Sequence, residues 1–101
     1  RFDSSLTISS SGYAQCSSDI STFDSDSEID LTMSLQRSSN NGRTWSTVKT
    51  WDTSDYGSAA LEGGWFVLSG YSYRVKATAE IYDESGDLIE EESVESSVEE
   101  Y

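Results

Sequence analysis

Two stretches alternate apolar and polar residues with a period of two, and this pattern restricts the chain to β-structure. In the first, Ile29, Leu31, Met33 and Leu35 share one face, while Asp30, Thr32, Ser34 and Gln36 share the other. In the second, Tyr71, Tyr73, Val75, Ala77, Ala79 and Ile81 are set against Arg74, Lys76 and Thr78. Successive side chains of a strand point to opposite faces, so each stretch predicts a half-buried strand. Helix signals are nearly absent. Turn residues recur about every ten positions, which is the spacing of a β-sandwich.

The remaining elements follow from the turns. A first strand is predicted at Ser5–Ser10, closed by Ser11-Gly12, and a second at Tyr13–Thr22 with the small face Ala14, Cys16, Ser18 and Ile20 turned inward. Phe23–Glu28 reads as a polar connection. Asn41-Gly42 supplies the positive φ angles of a tight hairpin turn within Ser38–Gly42. The returning strand is Thr44–Trp51. Val48 lies out of phase with Trp45 and Trp51, which predicts a bulge or an edge strand. Asp52–Gly57 reads as a loop. A fifth strand lies within Ala59–Leu68, interrupted by Gly63-Gly64. The sixth is Tyr71–Tyr82, followed by a turn at Glu84–Asp87. Leu88–Val94 is the last, and the stretch after it is expected to be at most an edge, its glutamates facing solvent. Seven strands on short connections predict a two-sheet sandwich, with an up-and-down barrel as the alternative. The expected core is Leu31, Met33, Leu35, Trp45, Tyr73, Val75 and Ala77. At 101 residues there is room for one domain, residues 1–101, whose acidic C-terminal segment 90–101 carries six glutamates.

Composition narrows the chemistry. Only 35% of residues are hydrophobic, so a core must rest on a few large side chains; three Trp, six Tyr and three Phe supply them. The net charge of −13 repels phosphate backbones and anionic headgroups, which argues against nucleic acid and membrane partners. No apolar run approaches the ~18 residues of a membrane span. The chain opens at Arg1 without a visible signal peptide, as a mature or trimmed chain would. Cys16 is the only cysteine, so no intrachain disulfide forms. There is no histidine, which removes Ser-His-Asp and Cys-His nucleophiles and imidazole zinc ligands. The expectation is a protein that is not an enzyme and takes no cofactor or metal. Asp24, Asp26, Glu28 and Asp30 alternate as calcium ligands can. They lack the glycine and terminal glutamate of an EF-hand loop, and a solvated acidic loop is the simpler reading. Trp45, Trp51, Tyr56, Trp65 and Tyr82 form a candidate platform for stacking sugars. In so small a domain the same aromatics also serve as core, because each buries a large area.

Three stretches carry a resemblance: Gly12–Ser17, Leu35–Arg37 with Gly42–Trp51, and Gly70–Ala77. Together they resemble a family of small secreted proteins of unknown function from Gram-positive, often gut-dwelling, bacteria, over roughly residues 1–90. Tyr73, Val75 and Ala77 are also similar to the Tyr-x-Val-x-Ala pattern in the sixth strand of fibronectin type III domains. The resemblance implies a secreted or cell-surface immunoglobulin-like sandwich with no known activity or ligand, and it adds no site residues. Cys16 then lies on the strand where antibody domains place their first core cysteine, without a partner on Tyr71–Tyr82. The acidic end departs from the more neutral ends of that family. The expected function is a non-catalytic module acting through protein contacts. The alternatives are carbohydrate binding by exposed aromatics and a structural or filament subunit assembling by strand addition. Expected partners are a protein or a glycan, with self-association through a sheet edge.

Overall fold

The computed structural model describes residues 1–22 and 24–101; of the Phe23–Glu28 connection, Phe23 lies outside the described residues. Among the described residues, eight strands account for the secondary structure: β1 (Phe2–Ile8), β2 (Tyr13–Ser21), β3 (Glu28–Ser38), β4 (Ser46–Tyr56), β5 (Ser58–Phe66), β6 (Ser72–Tyr82), β7 (Leu88–Glu95) and β8 (Glu99–Glu100). No helix occurs among the described residues. One sheet has the order β1-β2-β5, the other β4-β3-β6-β7, and β8 continues the β7 edge by pairing with the start of β6. All pairings are antiparallel. The two sheets face each other as a sandwich, which excludes the barrel alternative.

The inward faces are those read from the alternation. Ile29, Leu31, Met33 and Leu35 of β3 and Tyr73, Val75, Ala77, Ala79 and Ile81 of β6 are all buried. Ala14, Cys16, Ser18 and Ile20 of β2 oppose them. The core divides into two clusters along the strands. One gathers Leu6, Ala14, Cys16, Met33, Leu35, Tyr73 and Val75. The other gathers Ile20, Ile29, Leu31, Ala59, Ala77, Ala79 and Ile81. Tyr73 is fully buried, and its hydroxyl donates to the Leu68 carbonyl, tying the start of β6 to the connection that leads into it. That bond satisfies a polar group which the core would otherwise leave unpaired.

Several expectations need correction. The first strand is shifted to Phe2–Ile8, because residues from Phe2 onward pair with β2 down to Ile20. Asp52–Tyr56 is not a loop. β4 runs unbroken to Tyr56, opposite Glu28, and only Gly57 separates it from β5 in the other sheet. The turn-forming residues Asp52, Ser54 and Asp55 are held extended because β3 offers a full-length ladder, so tertiary pairing overrides local preference. Trp45 is not in the core. It precedes β4 and lies half-buried, with the Arg74 guanidinium 4.3 Å above its ring. Tyr71 precedes β6 and is half-buried under Arg37. Gly63-Gly64 does not interrupt β5, since both residues keep their pairing with β2. Their missing side chains make room for rings: a Cβ at Gly63 would overlap the Trp51 indole, and one at Gly64 the Tyr13 hydroxyl. The irregularity expected at Val48 is present: Val48 is the extra residue of β4 opposite the Leu35–Gln36 step of β3, and β4 is an edge strand.

The C-terminal stretch is more ordered than the sequence suggests. Ser96 is buried; its N–H donates to the Val75 carbonyl, and its hydroxyl accepts from the Val75 N–H. β8 pairs with Ser72 and Tyr73. Tyr101 closes the end, its N–H donating to the Tyr71 carbonyl and its hydroxyl to the Ser10 carbonyl. The glutamates remain exposed while the backbone between them is held.

Candidate functional site

Strands alternate in direction, so the connections collect at two ends. The apical end holds the connections at 9–12, 39–45 and 67–71 together with residues 96–101. The basal end holds Thr22, residues 24–27, Gly57 and the turn at 83–87. Among the described residues, the large hydrophobic residues that remain exposed all lie at these ends. Tyr13, Trp65, Phe66, Leu68 and Val98 are apical; Tyr56, Leu88 and Ile89 are basal. The apical group is built on paired strand ends. Tyr13 of β2 lies opposite Phe66 of β5, and their rings meet edge-to-face with centroids 4.9 Å apart. Ala14 faces the core, so both rings occupy the outer surface of the three-stranded sheet. Phe66 is 69% exposed.

Charge is divided along the same axis. Five of the six cations, Arg37, Arg43, Lys49, Arg74 and Lys76, lie in the apical half, and Arg1 alone is basal. The apical half holds only Glu95, Glu99 and Glu100. The other sixteen of the nineteen carboxylates lie at or below the boundary between the two core clusters. Three apical cations sit over aromatic faces: Arg37 over Tyr71 at 4.5 Å, Lys49 over Trp65 at 4.8 Å and Arg74 over Trp45 at 4.3 Å. Such contacts draw on the negative face of each ring. Arg74 also donates to Gln36 at 2.7 Å and approaches Glu95 at 3.7 Å, joining β3, β6 and β7 across the outer face.

The five candidate platform residues do not form one surface. Trp51 faces inward at the open seam between β4 and β5, over Gly63, and Trp65 lies on the same seam beneath Lys49. Trp45 is on the outer face of the five-stranded sheet at its apical end. Tyr56 and Tyr82 flank Glu28 on that outer face at its basal end. Only two neighbouring pairs are brought together, on different faces. A shallow depression of about 400 Å³ beside the apical end is lined by Ser38, Ser39, Asn41, Tyr71, Glu100 and Tyr101. It offers hydroxyl and amide groups to hydrogen-bond but no paired acid and base.

The acidic loop adopts turn geometry. Asp24 accepts from the Asp26 N–H, and Asp30 accepts from the Ser54 hydroxyl at 2.6 Å on the sheet surface. Among the described residues, no three Asp, Glu, Cys or His side chains converge with metal-ligand spacing. The two basal connections do meet. The Glu84 carboxyl is held above its ordinary range, first by a hydrogen bond shared with Asp26, then by repulsion from Asp26, Asp24 and Asp83. A carboxyl whose pKa is raised on folding binds its proton more tightly in the native state. Its contribution therefore favours folding at low pH and is lost as pH rises above the ordinary carboxylate range of about 4.3. Glu84→Gln is expected to raise the melting temperature slightly at pH 7, with the gain vanishing near pH 3. A thermal-melt series across that range checks the sign, and destabilisation at pH 7 would contradict it.

Sequence reasoning did not single out Tyr13, Phe66 or Leu68. The signal was present: once Ala14 is inward, parity places Tyr13 outward, and the adjacent pair Trp65-Phe66 at a strand end cannot have both rings on one face. The chain matches no family model, no curated protein and no solved structure.

Proposed function

We propose that the chain is a non-catalytic, immunoglobulin-like module, secreted or displayed at a cell surface, that acts through protein contacts made at its ends. The observation that carries this reading is the confinement of the large exposed hydrophobic residues, among the described residues, to the two ends, the apical group led by Tyr13 and Phe66. Exposed apolar clusters rimmed by polar residues mark interaction sites, and aromatic residues are enriched at the centres of protein interfaces. Strand order supports the immunoglobulin-like assignment. The first, second and fifth strands face the third, sixth and seventh, with the fourth added beside the third. The Tyr73–Leu68 bond has the form of the tyrosine corner of that fold, at the connection between the fifth and sixth strands.

The glycan reading is less well supported. Trp45 and Trp65, two rings available for stacking, each already hold a cation on one face, and the candidate aromatics are divided among three places. The test is a photoreactive phenylalanine analogue at position 66, introduced into the chain in the cells that produce it. The expected result is a covalent adduct to a polypeptide, lost when Tyr13 is replaced by serine. Binding to a glycan array that disappears with Trp45→Ala or Trp65→Ala, with no polypeptide adduct at position 66, would overturn the proposal.

A further inference from the structure

We propose that the protein partner presents a carboxylate, an aspartate or glutamate side chain, to a preformed hollow around Arg37 at the apical end. The inference rests on the protein-contact reading above and adds the chemistry of the group the partner brings. Arg37 is the penultimate residue of β3 and is paired on both sides, to Ser46 of β4 and Tyr73 of β6, so its backbone is fixed. Its guanidinium lies half-buried over the Tyr71 ring and acts on the Tyr73 hydroxyl, whose pKa burial raises and the Arg37 charge draws partly back. The ion pairs among the described residues are Arg1–Asp3 and Arg74–Glu95. Arg37 has none, in a chain with nineteen carboxylates to six cations. A hollow of about 270 Å³ opens beside it, lined also by Ser39, Thr44, Trp45, Ser46 and Tyr71 and by no carboxylate. Glu100 lines only the adjoining depression. The connection that forms the rim is braced from within: the buried Ser38 hydroxyl accepts from the Gly42 N–H, and the Asn40 side chain accepts from the Thr44 N–H. The Thr44 hydroxyl accepts from the Asn40 amide and keeps its own hydrogen to donate. A guanidinium fork matches a planar carboxylate with two parallel N–H···O bonds, and one already stacked on a ring is oriented in advance. The net charge of −13 repels a free anion. A carboxylate carried on a polypeptide arrives instead with apolar contacts at the same end, Phe66 and Leu68 among them. A sugar acid is disfavoured, because Trp45 and Tyr71 each have one ring face under a guanidinium already.

The hollow is tested on the full chain by nitrogen–proton spectra of the arginine side chains, titrated at constant ionic strength. The probes are a capped Gly-Glu-Gly peptide, the capped Gly-Gln-Gly peptide that differs only in charge, and glucuronate. The expected result is a saturable shift of the Arg37 Nε resonance by the glutamate peptide, with binding about tenfold tighter than that of the glutamine peptide, as an ionised acceptor provides. Arg43, exposed on the neighbouring connection and also without an ion pair, is expected to move much less. In Arg37→Gln, followed through the Trp45 indole N–H, the saturable response should disappear, with circular dichroism to check the fold. If that variant does not fold, the wild-type titration alone decides, because it reports which guanidinium responds. A silent Arg37, equal responses of Arg37 and Arg43, or equal binding of the two peptides overturns the inference, as does glucuronate binding more tightly than the glutamate peptide. If residue 66 captures a polypeptide while Arg37 stays silent, only the acidic contact group is wrong. If glucuronate alone shifts Arg37 and no adduct forms at residue 66, the protein-contact reading falls with it.

Discussion

Replacing Val75 with cysteine is expected to close a disulfide with Cys16 and to stabilise the domain by roughly 2–4 kcal/mol. Cys16 lies on β2 and Val75 on β6, in opposite sheets, both without solvent exposure and in the same core cluster. In immunoglobulin-like domains that carry the bridge, the corner tyrosine stands two residues before the second cysteine. Tyr73 stands in that relation to Val75. The closed loop spans most of the chain, and the constraint on the unfolded state grows with loop length. The wild-type thiol is inert by comparison, because burial pushes its pKa up to about 11 and keeps it protonated at neutral pH. Thiol counting after oxidation and thermal melts with and without reductant read the effect. Two titratable thiols in the oxidised variant would show that the two positions are not in bridging register, and would remove a main support of the immunoglobulin-like assignment.

Leu31→Ala is expected to cost about 2–5 kcal/mol and to lower the melting temperature by at least about 10 °C. Leu31 is fully buried on β3, between β4 and β6, where paired backbone on both sides leaves little room to collapse into the cavity. Trp45→Ala removes a larger side chain and is expected to cost only about 1 kcal/mol. Trp45 lies outside the sandwich and loses mainly its contact with Arg74. Denaturant melts of the two variants make the comparison. A Trp45 variant destabilised as strongly as the Leu31 variant would place the indole back in the core.

That contrast shows where the sequence was legible. A period of two assigns faces without knowledge of partners, so the inward residues of β2, β3 and β6 and the two-sheet architecture could be read directly. The fate of Trp45 could not. It sits beyond the end of its strand, where parity no longer applies, and a cation from β6 determines its position. Asp52–Tyr56 carried turn residues, but its conformation is set by the length of β3, which is non-local information. Glu90–Tyr101 looked like a solvated tail because its side chains are charged. Its order comes from backbone bonds to β6 and from Ser96 and Tyr101, which composition does not register. The five candidate aromatics read as one platform in the sequence, and their separation into three places follows from strand order. The gathering of the described exposed apolar residues at the two ends emerges only once strand direction converts sequence position into height along the axis.

The same strand directions have a mechanical consequence. β1 begins at the basal end and β8 finishes at the apical end, so a tensile load applied through the two ends of the domain runs parallel to the strands. The β1–β2 and β6–β7 ladders are then pulled in shear. Their hydrogen bonds resist together instead of parting one after another, as they would if a strand were peeled from its edge.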